Sequence, residues 1–215
     1  MIELFKLRPG VDHLLPDEEW DVLTINELNP VYGVGLADRD LTNVGYMPLR
    51  MAGTPIGRTD MLGGVSPFVV MSWRLLRLLE SLGDFPHQAI PAHLMQDRDD
   101  WQDHPPIDTT SFVVCNLHKH LHIIDFDRCE LEPSPRYESR VFLRRLALVE
   151  GVTVPPLFRQ DNWENPPLIP RSTRDAILAA GMLDVYMPPV LGDSIELTAF
   201  TPALTVTPCP SRWAT

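Results

Sequence analysis

Residues 66–83 read SPFVVMSWRLLRLLESLG, and a looser copy, PLIPRSTRDAILAAG, occupies residues 167–181. Each opens on a proline and a short apolar run, passes through Ser-x-Arg, and continues in an apolar helical pattern closed by a glycine. Laid side by side without a gap, Pro67 meets Pro167, Ser72 meets Ser172, Arg74 meets Arg174 and Leu78 meets Leu178. Phe68-Val69-Val70 and Leu168-Ile169 suit extended chain, because branched and aromatic side chains pack well on a pleated surface. Ser72 and Ser172 are natural N-caps, whose hydroxyls accept from backbone N–H groups left free in a first helical turn. Asp175, three residues after Ser172, is placed to complete a capping box. Leu75, Leu79 and Leu82 share one helical face, which Leu76 and Leu78 widen. Thr173, Ala176, Ile177 and Ala180 make a smaller face in the second copy. Gly83 and Gly181 can take the left-handed conformation that ends a helix. The expected fold is a single α+β domain with two similar strand–helix units around a mixed or antiparallel sheet.

Outward from these units, strands are expected over residues 1–7, 46–51, 87–94, 111–116, 141–149 and 185–187. Weaker strand patterns lie at 22–25 and 31–36, and 123–126 continues or follows the central strand. Pro16, with acids after it, can open a short helix. The run GTPIGRTDMLGG at 53–64 is glycine-punctuated like a phosphate loop, but no Gly-Lys-Ser/Thr closes it, so it reads as a connecting loop. Residues 155–167 also read as loop. Residues 1–52 are expected to add N-terminal strands and loops to the same domain. Residues 53–190 form its core, and 191–215 make an extended Pro/Thr-rich tail.

The 215 residues are 44% hydrophobic, enough for a sizeable core and against disorder of the whole chain. The 22 prolines, well above an average usage of about 5%, predict stiff, irregular connections. The formal net charge of −11 argues against nucleic acid and anionic membranes as partners, and fits a basic protein. The three cysteines, Cys115, Cys129 and Cys209, lack the paired spacing of a disulfide scaffold or zinc ribbon. The opening MIELFKLRPG has neither the basic nor the apolar region of a secretory signal, and no long apolar run follows. A reducing cytoplasm is the expected compartment.

Two constellations invite a functional reading. His118-x-His120-x-His122 would place three imidazoles on one face of a strand, with Asp125 and Asp127 near enough to add oxygens, as in a metal-dependent enzyme. Zinc hydrolases ordinarily add a carboxylate or a remote histidine, and a polar strand edge explains the same pattern. No metal or other cofactor is expected. No nucleophile motif such as G-x-S-x-G appears, and Cys115 sits in an apolar strand as a small hydrophobe, so no catalytic residues are assigned. The second constellation is tryptophan among acids: Trp20 with Asp17, Glu18, Glu19 and Asp21; Trp101 with Asp97, Asp99, Asp100 and Asp103; Trp163 with Asp161 and Glu164. Tryptophan is enriched at interface hot spots, and carboxylates around it steer a basic partner. The ordinary alternative is a loop anchor folded onto the core with its acids in water.

The blocks GTPIGRTDMLGG–SPFVVMSWRLLRLLESLG, FVVCNLHKHLHIIDFDRCELE, SRVFLRRLALVEG and LFRQDNWENPPLIPRSTRDAILAAGMLDVYMPPV resemble, in order and approximate spacing over residues 53–190, the immunity-protein-eleven family of bacterial polymorphic-toxin systems. Within the resemblance, Asn116 matches an asparagine after a central strand, and Asp127 an aspartate ahead of the Cys129-Glu130 pair. The chain departs from the pattern at His118, His120 and His122, where the family is more aliphatic. The resemblance implies an α+β cytoplasmic immunity protein that binds and neutralises a cognate antibacterial toxin, delivered by a secretion system, without chemistry of its own. An effector chaperone or adaptor of a secretion system is the other binding function open at this point.

Overall fold

A computed structural model describes residues 3–10, 41–51, 59–62, 68–96, 98–134, 140–161, 166–192 and 194–196. In chain order its elements are β1 (Leu4–Lys6), β2 (Arg8–Pro9), β3 (Met47–Met51), β4 (Met61–Leu62), β5 (Val69–Ser72), α1 (Trp73–Leu82), β6 (Gln88–Gln96), β7 (Phe112–Asn116), β8 (His120–Leu121), β9 (Glu130–Pro133), β10 (Arg140–Arg145), β11 (Arg159–Gln160), β12 (Leu168–Pro170), α2 (Arg171–Ala179), β13 (Val185–Tyr186) and β14 (Ser194–Glu196). Short 3-10 turns lie at Trp101–Asp103 and Phe126–Arg128. The fold is α+β. The expected strands at 22–25 and 31–36, and the helix after Pro16, lie outside the described residues.

A five-stranded mixed sheet in the order β3-β6-β7-β5-β4 carries the fold. β3 and β6 run parallel, and the other neighbours are antiparallel. Its centre is β7, whose five residues are all buried. A strand covered on both faces is apolar along most of its length, which is why FVVC shows no alternation, and the buried Asn116 at its end donates to Gln88 Oε1 at 3.0 Å. Phe112 and Val114 join one cluster with Met47, Leu49, Leu62, Val70, Ile90 and Leu94. Val113 and Cys115 join the opposite one, with Val69, Met71 and the helices.

α1 follows β5 without a break. Ser72 is its N-cap, accepting from the Leu75 N–H at 3.1 Å. Leu75, Leu76 and Leu79 are its buried face, whereas Leu82, expected inside, is 41% exposed at the last turn. α2 packs against α1 and sends Ile177 into the same cluster, beside Phe5, Leu7 and Ile169.

The two strand–helix units are present but not equivalent. β5 belongs to the main sheet, whereas β12 pairs with β1. α2 also starts two residues earlier than the gapless match requires. Its N-cap is Pro170, without a side-chain cap bond, so Ser172 lies inside the helix and corrects the expectation of a serine cap. A long-range contact holds this start: the Arg171 N–H, the first of the helix, donates to the Glu3 carbonyl at 3.1 Å, on the chain leading into β1. Asp175 accepts from the adjacent Arg174 side chain at 3.2 Å rather than forming a capping box.

A third cluster, of Leu4, Ile123, Ile124, Leu143, Phe158, Leu168 and Val190, fills the space beside β10. The strand expected at 123–126 does not form there. The Ile123 and Ile124 N–H groups donate to the buried side chain of Gln160, at 3.0 and 2.8 Å, instead of to a strand. Ile124 keeps one isolated bridge to Leu148, and β10 stops at Arg145 although its apolar pattern runs on. Within the expected loop 155–167, Arg159–Gln160 forms β11, parallel to β8. β14 adds to β10 in antiparallel register, and the rest of the tail beyond Glu196 lies outside the described residues.

Candidate functional site

The connection between β6 and β7 holds the acidic turn. Its base is closed by the Leu94 N–H to the Asp108 carbonyl and the Ile107 N–H to the Leu94 carbonyl, both 2.7 Å. Asp108 Oδ1 then accepts from the N–H groups of Thr110 at 2.6 Å and Ser111 at 2.9 Å. At the tip, Trp101 is partly buried and packs against the cluster of Met47, Leu49 and Phe112. Of the two roles open to this tryptophan, loop anchor is the one its position describes. Asp99, Asp100 and Asp103 are exposed around it.

Asp100 organises the tip. Arg98 Nε and Nη2 donate to its two carboxylate oxygens at 2.5 and 3.0 Å, and His104 Nε2 lies 3.1 Å from Oδ2. Arg98 first, then His104, hold its carboxyl down at about 2. Among the described residues Asp99 and Asp103 show no such pairing, so they carry the outward negative potential of the turn.

The remaining candidates do not join this turn. Asp161 stands beside β8, where His122 Nδ1 is 2.9 Å from its Oδ2 and Gln160 Nε2 donates to its Oδ1. Asp17, Glu18, Glu19, Trp20, Asp97, Trp163 and Glu164 lie outside the described residues. Only His120 of the three histidines lies within a strand; His118 precedes β8 and His122 follows it. Among the described residues, no three His, Cys, Asp or Glu side chains are grouped as metal ligands. Cys115 is fully buried, its thiol pushed far up by burial; Cys129 is half-buried, and burial raises its pKa as well. Neither is disposed to act as a thiolate nucleophile.

Sequence reasoning missed the most heavily bonded carboxylate, Asp60. It is 4% exposed. Oδ1 accepts from Ser72 Oγ at 2.5 Å and Arg74 Nε at 3.2 Å; Oδ2 accepts from Arg74 Nη2 and from the Leu183 N–H at 2.8 Å. Burial alone would raise its pKa, but the bonds from Arg74, Ser72 and Leu183 outweigh that and hold it below the usual carboxylate range. Every oxygen is consumed by the protein itself, so the cluster is a structural clamp. The signal was the lone acid in GRTDML, directly ahead of the strand at Met61; its partners were invisible at that distance.

No family model matches the chain, and no curated protein matches it. Among the described residues, no helix is long and apolar enough to cross a membrane.

Proposed function

We propose that this chain is an immunity protein: it binds a cognate, basic antibacterial toxin delivered by a secretion system, and neutralises it in the cytoplasm by covering its surface. The observation that carries the reading is the acidic turn, whose backbone is fixed at base and tip while Asp99 and Asp103 face solvent. A pre-ordered loop loses little freedom on binding, and its carboxylates accelerate encounter with a positively charged partner. The net charge of −11 adds to that field, and the resemblance over residues 53–190 points to the same class. A protein inhibitor of standard size covers about 800 Å² on each partner, several times the reach of one turn, so further surface must take part.

The test is the association rate with the toxin encoded beside this chain. Asp99→Lys with Asp103→Lys leaves the Asp100 clasp intact and should slow association about tenfold at low salt, with a smaller effect at high salt. An unchanged rate removes the acidic turn from the interface. An activity assay on the complex separates neutralisation from carriage, since a chaperone would leave the bound toxin active.

A further inference from the structure

Six large hydrophobic side chains are strongly exposed among the described residues, and one of them, Ile107 at 40%, stands on the connection that carries the acidic turn. A single exposed hydrophobe is ordinary on a protein surface. Ile107 is set apart by its neighbours and by how firmly it is held. Pro105 and Pro106, directly before it, are exposed as well, so three successive apolar residues follow the exposed acids Asp99 and Asp103.

Both ends of this short apolar run are fixed. The Ile107 N–H donates to the Leu94 carbonyl, and the Leu94 N–H to the Asp108 carbonyl, both at 2.7 Å, which ties the run to β6. At the other end His104 has extended backbone and donates its N–H to the Trp101 carbonyl at 3.3 Å. Between them Pro105 and Pro106 have fixed φ and no N–H to satisfy. A β-branched isoleucine is stiff at χ1, and proline has no rotamers to lose. Covering such residues therefore costs little ordering, which is the property of a good interface anchor.

The acids and the isoleucine fall inside one contact area. Ile107 follows Asp103 by four residues, and a chain spans at most about 3.6 Å per residue, so the two lie within about 14 Å of each other. A standard inhibitor footprint of about 800 Å² is about 32 Å across. Interfaces commonly set apolar contacts within a polar rim.

Charge complementarity decides the occupant. Asp99 and Asp103 repel another acidic surface, including a second copy of a chain at −11, and an anionic membrane. What fits is a protein surface with an apolar hollow bordered by lysine or arginine.

We infer that Ile107, held out by Pro105 and Pro106, is the apolar anchor of the acidic turn, and that it seats in an apolar hollow bordered by basic residues on the partner protein. This rests on the toxin reading and divides the work at that interface: Asp99 and Asp103 set the rate of encounter, and Ile107 sets the lifetime of the complex.

Association and dissociation kinetics of the full chain with the toxin encoded beside it, at low and high salt, test the division. Ile107→Ala should shorten the lifetime of the complex about tenfold at both salt concentrations, and change the association rate less than twofold. Ile107→Val should keep most of the lifetime. Asp99→Lys with Asp103→Lys should do the reverse, slowing association with an effect that fades at high salt. The far-ultraviolet spectrum should be that of the wild type throughout. If the lysine pair slows association and Ile107→Ala leaves the lifetime unchanged, the anchor is overturned and the toxin reading stands. A lifetime loss in Ile107→Ala that disappears at high salt also overturns it, because apolar contact is not screened. Absence of any complex overturns the toxin reading and the anchor with it.

Discussion

Asp60 and Leu183, 123 residues apart in the chain, exchange two hydrogen bonds: the Asp60 N–H to the Leu183 carbonyl at 2.9 Å, and the Leu183 N–H to Asp60 Oδ2 at 2.8 Å. Ser72, the cap of α1, and Arg74, in its first turn, bind the same carboxylate. One side chain therefore fixes the start of α1 to the end of α2, and holds the pair of strand–helix units together.

Asp60→Ala removes the acceptor from Ser72, Arg74 and Leu183 together. The buried Ser72 hydroxyl then lacks its acceptor, whereas Arg74 and the Leu183 N–H, both on exposed residues, can turn to water. The expected loss is on the order of 1–3 kcal/mol, most of it from the buried hydroxyl rather than the ion pair. Urea unfolding measures it; a loss under about 0.5 kcal/mol, the range of an ordinary surface change, would refute the clamp.

The same carboxylate sets an acid dependence. Its folded pKa is depressed, so its stabilisation is fully present above the unfolded value of about 3.9 and is lost as pH falls through the lower folded value. Asp100 shifts in the same direction, to about 2. Stability owed to these groups should hold from neutrality down to about pH 5 and fall below it. Asp60→Asn should flatten part of that acid limb in unfolding curves taken between these limits; an acid limb of unchanged steepness is the contrary result.

Gln160 substitutes for a strand. Gln160→Leu should strand the Ile123 and Ile124 N–H groups in the third cluster, at a cost of about 1–3 kcal/mol. Gln160→Glu keeps the acceptor but loses the donor to Asp161 and buries a carboxylate beside it, so it should cost at least as much. Amide hydrogen exchange at Ile123 and Ile124 reads this directly, with faster exchange expected in the leucine variant and protection as in the wild type counting against it.

Trp101→Ala separates anchoring from contact. The indole packs against the main sheet, so its loss should destabilise the protein by about 2 kcal/mol and loosen the Asp99–Asp103 tip. Protease nicking between Arg98 and His104 should increase. A variant as stable as the wild type, yet weaker in binding the toxin, would make Trp101 a contact residue instead.

The elements that burial decides locally were legible in the sequence. β7 announced itself as the apolar run Phe112–Cys115, and α1 as a leucine face behind a capping serine. What escaped depends on partners far along the chain. The first N–H of α2 is taken by the Glu3 carbonyl just ahead of β1, so its own serine misled the reading of its start. Residues 123–126 look like a strand because their side chains are buried, yet a glutamine 36 residues on takes the Ile124 N–H. Alternation of histidines implied a shared face, but β8 is too short to impose one. At the acidic turn the pattern of Trp101 among carboxylates was visible; which of Asp99, Asp100 and Asp103 would face solvent unpaired depended on Arg98 and His104 folding back onto Asp100.

The central claim is neutralisation by binding, and titrating the activity of the neighbouring toxin with this chain tests it most directly. The account predicts that activity falls in proportion to added chain and vanishes at a fixed stoichiometry, with the toxin recovered intact in a complex. Full activity in the presence of excess chain, or loss of activity with the toxin chemically altered, would contradict it.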